Sequence, residues 1–91
     1  MSVEVKMFYP ALQRVVGDAE ALRLEGATVG ECLSDLVRCH PDAGRLLFDS
    51  RGGLLKPVYV FVNQEGMFKA SPDRPLKESD RLIIAVLATG G

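Results

Sequence analysis

Thr28-Val29-Gly30-Glu31-Cys32-Leu33-Ser34-Asp35-Leu36-Val37-Arg38-Cys39-His40-Pro41 is the one stretch of this 91-residue chain with strong helical periodicity. Val29, Cys32, Leu33, Leu36 and Val37 recur at i, i+3, i+4, i+7 and i+8, which places them on a single helical stripe. Glu31, Ser34, Asp35 and Arg38 take the opposite side. Thr28 precedes the stripe and Glu31 follows three residues later, so a hydroxyl and a carboxylate can satisfy the first backbone donors reciprocally. Pro41, with no N–H to give, ends the helix.

On both sides of this helix the pattern turns strand-like. Val3-Glu4-Val5-Lys6-Met7-Phe8 alternates at period two, with Val3, Val5 and Met7 on an inner face, and Pro10 closes the run. After a turn near Gly17-Asp18, Ala19-Glu20-Ala21-Leu22-Arg23-Leu24-Glu25 alternates again, and a long antiparallel hairpin with the first strand is expected. Downstream, Arg45-Leu46-Leu47-Phe48 suits a short helical turn and Gly52-Gly53 a tight turn. Val58-Tyr59-Val60-Phe61-Val62 is dense in β-branched and aromatic residues and is followed by the turn sequence Asn63-Gln64-Glu65-Gly66. Met67-Phe68-Lys69 suggests a short further strand. Asp80 then opens Arg81-Leu82-Ile83-Ile84-Ala85-Val86-Leu87, which is apolar on both faces and therefore central in its sheet.

The fold class that follows is α+β, in the order β-β-α-β-β(short)-β: a mixed sheet of four to five strands packed on one main helix. Length fits a single domain spanning 1–91, since a chain of this size buries roughly 60 to 70% of its unfolded surface in one core. Eleven basic against twelve acidic residues leave a net charge of -1. No global field therefore favours nucleic acid or an anionic membrane. The longest apolar run, Leu82 to Ala88, is far below the roughly 20 residues of a membrane span. The start, Met1-Ser2-Val3-Glu4-Val5, has no basic region leading into an apolar stretch, so a reducing, cytoplasmic setting is expected. Cys32 and Cys39, about 10 Å apart along one helix, do not pair with each other.

The familiar catalytic constellations are missing. His40 is the single histidine, too few for a two-histidine metal site, and its position at a helix C-terminus suits the helix dipole. Cys32 lies on the apolar stripe as a small core residue, and the cysteines form no C-x-x-C pair. Gly52-Gly53 lacks the Lys-Ser/Thr that follows in a phosphate loop.

What remains is Ala88-Thr89-Gly90-Gly91, directly after the last strand. With nine glycines in the chain, two at the final positions have a chance of roughly one in a hundred on composition. Two readings of the terminus fit the residues alone. One is a frayed end. The other is a reactive tail: glycine has no Cβ, so Gly90-Gly91 can enter a channel too narrow for side chains, and four residues reach about 13 Å beyond the sheet. A carboxylate is a poor acyl donor, and conversion to an adenylate overcomes that.

The Gly-Gly end after a final strand, together with the element order, resembles the ubiquitin-like sulfur carriers, the group holding the small subunit of molybdopterin synthase (MoaD) and the thiamine sulfur carrier (ThiS). Val5-Lys6-Met7-Phe8-Tyr9 and Leu12-Gln13-Arg14-Val15-Val16-Gly17 resemble the opening of the molybdopterin synthase type. Val60-Phe61-Val62-Asn63 and Pro75-Leu76-Lys77-Glu78-Ser79-Asp80-Arg81-Leu82 resemble the strand, the V-N turn and the P-L-x-x-G-D-x-V approach to the last strand. The chain departs from the pattern at Ser79, where glycine is usual, and at Val86-Leu87-Ala88-Thr89, where prolines are common.

The resemblance implies a β-grasp fold and a cycle run largely by partners. A ubiquitin-activating-type adenylyltransferase would adenylate the Gly91 carboxylate with ATP, and a persulfide donor would displace AMP to leave a thiocarboxylate. Sulfur would pass to a cofactor or thio-metabolite precursor, of molybdopterin type by preference, with a synthase large subunit as a possible acceptor partner. Gly91 is then the reacting residue, with Gly90, Thr89 and Ala88 as the reaching tail. No bound cofactor or metal is expected. Strand parity places Phe8, Tyr59, Phe61, Ile83, Ala85 and Leu87 on the outer sheet face, the face through which ubiquitin-like domains dock, with Leu82, Ile84 and Val86 facing the helix. Two alternatives use the same sequence: a modifier joined to lysines through Gly91, and a β-grasp binding module that never reacts.

Overall fold

A computed structural model of the protein describes residues 2–17, 22–63 and 71–86. Along the chain run β1 (Ser2–Phe8), α1 (Pro10–Val16), β2 (Arg23–Glu25), α2 (Val29–Cys39), a 3-10 turn (Pro41–Ala43), α3 (Gly44–Leu47), β3 (Val58–Val62) and β4 (Arg81–Val86). The described strands form one sheet in the order β2-β1-β4-β3. β1 and β4 are parallel at its centre, and β2 and β3 pair antiparallel on either side. First and last strands can lie parallel only through a long crossover, and α2 covers the inner face of the sheet within that connection. This is the expected β-grasp.

β4 is central because it is hydrogen-bonded on both edges, from Glu4↔Arg81 to Phe8↔Ala85 on one side and from Val58↔Val86 to Val62↔Leu82 on the other. The core lies between the sheet and α2. Val3, Val5 and Met7 from β1, Val58, Val60 and Val62 from β3, and Leu82 and Ile84 from β4 are all buried. Against them pack Val29, Cys32, Leu33 and Leu36 of α2. Each fully buried Leu, Ile or Val side chain contributes about 1.5–3 kcal/mol, so this alternation dominates the choice of register. Val86 shares the parity of Ile84 but is half-buried, so it belongs to the rim of the core.

The N-terminal hairpin is the main correction. β1 and β2 do pair antiparallel, Ser2 with Glu25 and Glu4 with Arg23, but a helix lies between them. Pro10, which ends β1, also opens α1, where its missing N–H costs nothing. Leu12 is fully buried, and Gln13 Nε2 donates to the Met7 carbonyl at 3.1 Å. Of the strand expected over 19–25, only Arg23–Glu25 is seen; Ala19, Glu20 and Ala21 lie outside the described residues, as does the short strand expected at Met67-Phe68-Lys69.

The start of α2 follows the capping signal with one shift. Thr28 Oγ1 accepts from the Glu31 N–H at 3.2 Å, while Glu31 Oε1 accepts from the N–H of Ala27 at 2.8 Å, one residue before the cap. The carbonyls of Arg74 and Pro72 accept from Val29 and Gly30 at 3.0 and 2.7 Å. A chain segment some forty positions away in sequence therefore satisfies the donors that the helix leaves open. His40 is the C-cap of α2, as the helix-end reading expects. Cys39 is exposed and Cys32 buried, and both are free. The Cys32 thiol is pushed up from its usual value by burial, helped by the carboxylates of Asp35, Glu31 and Glu25, so it is held as an inert core thiol.

Candidate functional site

The outer face of the sheet is built by the odd parity of β3 and β4 and the even parity of β1. Because β4 is registered against both neighbours, the outward residues align in rows across three strands. Phe8, Ala85 and Tyr59 form one row; Lys6, Ile83 and Phe61 form the next; Glu4 and Arg81 form the third. The first row lies nearest the chain end, two residues before Leu87. The face thus grades from apolar at the C-terminal end of β4 to charged at its N-terminal end.

Phe8 is 60% exposed, the largest exposure of any big apolar side chain among the described residues. Tyr59 and Phe61, two residues apart on one strand, stack with ring centroids 5.9 Å apart and planes inclined by 22°. The pair stiffens the patch, because an offset stack of this kind is worth about 0.5–1.5 kcal/mol beyond its burial. Tyr59, Phe61, Ile83 and Ala85 are half-buried, so the face is a firm, shallow surface. At its charged end Arg81 Nε and Glu4 Oε1 are 3.1 Å apart. A cleft of about 450 Å³ opens beside this pair, lined by Asn63, Glu78, Asp80 and Arg81 among others.

Five of the predicted docking residues, Phe8, Tyr59, Phe61, Ile83 and Ala85, thus lie on one face. Leu87 and the tail residues Ala88, Thr89, Gly90 and Gly91 lie outside the described residues. Among the described residues no cluster of three or more His, Cys, Asp or Glu side chains could hold a metal, and no helix is long and apolar enough to cross a membrane.

Sequence reasoning missed the polar ties that hold this face in place. Tyr9 OH donates to the Leu46 carbonyl at 2.8 Å, anchoring the end of β1 to α3. Asn63 adopts a left-handed backbone (φ +58°) and binds both Asp80 and the backbone of Arg81 through its side chain. The Val-Asn pair and the Asp before the last strand were the available signals, since Asn tolerates this conformation and bonds its surroundings.

No family model and no curated protein sequence matches the chain. Comparison with solved structures does find neighbours. SAMP1 from Haloferax volcanii superposes with a TM-score of 0.81 at 29% identity, covering 100% of both chains. CysO of Mycobacterium tuberculosis, described as an antigen, gives 0.74 at 25% identity over 92% of this chain and 99% of its own. The chain has a ubiquitin-like fold. The Amycolatopsis orientalis BexX/CysO complex supplies a further match, at TM-score 0.75 and 27% identity over 96% of this chain and 99% of the other. A second structure of the Haloferax volcanii protein, small archaeal modifier protein 1, gives a TM-score of 0.78 at 27% identity over 93% of this chain and 95% of its own. Each of these likenesses covers more than nine tenths of this chain, so the β-grasp does not rest on the sheet alone.

Proposed function

We propose that this protein is a sulfur carrier that works through its C-terminal carboxylate. The observation that carries the reading is the direction of β4: the central strand of a ubiquitin-like sheet runs toward Leu87-Ala88-Thr89-Gly90-Gly91, with the apolar row Phe8-Ala85-Tyr59 beside its exit. A partner seated on that row has the tail within reach. A Gly91 carboxylate oxygen attacks the α-phosphorus of ATP in the partner's site and pyrophosphate leaves. The terminal sulfur of a persulfide attacks the acyl adenylate and AMP leaves. A thiol then cleaves the resulting S–S bond, is itself taken into a disulfide, and frees the thiocarboxylate. In this scheme Gly90 and Gly91 supply access, the sheet supplies docking, and the partner supplies the catalytic groups.

Sulfur delivery from the thiocarboxylate requires an acceptor enzyme, for which precursors of molybdopterin type are the first candidates and other thio-metabolite precursors the next. That CysO was solved in complex with BexX supports a carrier that meets a partner protein through this fold. The experiment is intact-mass measurement after incubation with a ubiquitin-activating-type enzyme, ATP and a persulfide source. A gain of about 16 Da, sulfur for oxygen, is expected on the full chain and not on a chain lacking Gly91. No gain on the full chain would refute the reading.

A second reading has its own support, since three of the similar structures are of small archaeal modifier protein 1, two from Haloferax volcanii and one from Methanosarcina acetivorans. In it a lysine amine attacks the same adenylate or a thioester derived from it, forming an isopeptide at Gly91. Peptides of this chain ending in Gly91 and joined by isopeptide bonds to lysines of other proteins in the native cell, without thiocarboxylate, favour this alternative.

A further inference from the structure

We propose that the outer sheet face is matched to a protein partner whose docking patch is apolar and carries one carboxylate directed at Lys6. The inference rests on the carrier reading only in taking the activating enzyme as that partner. On β1, β3 and β4 the charged residues that face outward are Glu4, Lys6 and Arg81. Glu4 and Arg81 satisfy each other at 3.1 Å. Lys6 is exposed and forms no ion pair with the described residues, so among the described residues of these three strands it is the one uncompensated charge. Arg23, outward on β2 opposite Glu4, is held at the sheet edge by hydrogen bonds to Ser2, away from the apolar rows.

Its position makes that charge consequential. Lys6 stands in the row of Ile83 and Phe61, one step of about 6.5 Å from the row of Phe8, Ala85 and Tyr59. A partner that covers Phe8 and the Tyr59–Phe61 stack removes water from the flank of the ammonium. An ammonium stripped of water without a counter-charge is strongly unfavourable, and the local anion, Glu4, is already engaged. A purely apolar partner is therefore a poor match for this face, and one bearing a carboxylate opposite Lys6 is a good one. The arrangement also sets register: apolar contact at the Phe8 row and a charge pair at the Lys6 row fix both the position and the direction of the partner along β4. Ile83 precedes Gly91 by eight residues, so Ile83, in the row of Lys6, lies within about 26 Å of the site where the tail reacts.

The test is calorimetric titration of the full chain with the ubiquitin-activating-type adenylyltransferase of the same organism, at low and at high salt. Lys6→Glu is expected to weaken binding about 30-fold or more, Lys6→Met less, and Lys6→Arg to stay within a few-fold of the native chain. Reversing the partner's carboxylate to lysine should restore binding of Lys6→Glu. Lys6 is exposed, so these variants keep the fold, which circular dichroism checks. Lys6→Glu binding like the native chain overturns the proposal, as does an enzyme that binds no variant and not the native chain. Binding that depends on Lys6 but yields no adenylate at Gly91 instead sinks the carrier reading and leaves the surface standing.

Discussion

Asn63 and Asp80 lock β3 to the approach of β4. Asn63 Nδ2 donates to Asp80 Oδ1 at 3.0 Å, Asn63 Oδ1 accepts from the Arg81 N–H at 2.8 Å, and Asp80 Oδ2 accepts from the Lys77 N–H at 2.8 Å. The Asn63 N–H also donates to the Arg81 carbonyl at 2.7 Å. One amide side chain thus substitutes for a backbone ladder bond where β3 turns away, and one carboxylate shapes the loop entering β4.

Removing either end of this lock should destabilise the fold. A hydrogen bond contributes about 1 kcal/mol, and more when one partner is charged. Asp80→Ala should cost about 1–2 kcal/mol. Asn63→Ala should cost at least as much, because it also forces a left-handed backbone on alanine. Urea denaturation measures both, and an unchanged midpoint for Asn63→Ala would show the lock to be energetically idle.

The lock also gives stability a pH dependence of known sign. The Asp80 carboxyl is held below its ordinary value of 3.8 by the Asn63 amide and the Lys77 N–H, and Asp35 is lowered by the Glu25 N–H and by Arg38. A carboxyl with a depressed folded value contributes stability that is present above its unfolded value and lost as pH falls through the folded one. Stability should be level from neutrality to about pH 5 and decline below about pH 4. Asp80→Asn should flatten that decline; thermal melts between pH 3 and 7 compare the two proteins.

Gly26 is closed to any side chain. A Cβ there would lie 2.7 Å from the Cys32 backbone nitrogen and 2.8 Å from Glu31 Cβ, both fixed by the first turn of α2. Gly26→Ala should therefore push β2 off the helix start and lower stability by about 1–3 kcal/mol. A variant as stable as the native protein would mean that this junction yields freely.

Phe61→Asp and Phe8→Asp separate docking from folding. Phe8 is mostly exposed and Phe61 half-buried, so the first should leave stability nearly unchanged and the second cost about 1 kcal/mol through the lost stack. Both should reduce the rate of adenylation at least tenfold, since interface anchors of this type typically cost more than 1 kcal/mol when removed. Unaltered adenylation kinetics in a folded variant would take that residue out of the interface.

The sequence by itself determined what depends on local pattern: the stripe and cap of α2, the inner parity of β1, β3 and β4, and the central place of a strand apolar on both faces. These follow from the 3.6 and 2.0 periodicities and from burial, which act through neighbours along the chain. The tertiary structure decided the rest. α1 was hidden because Pro10 reads equally as the end of a strand and the start of a helix, and only Leu12 is fully buried from its seven residues. The rows that place Lys6 beside Ile83 and Phe61, and the ties from Pro72 and Arg74 to α2 or from Asn63 to Asp80, join residues far apart in sequence. Their register is fixed by backbone hydrogen bonding between strands, a relation that residue order does not contain.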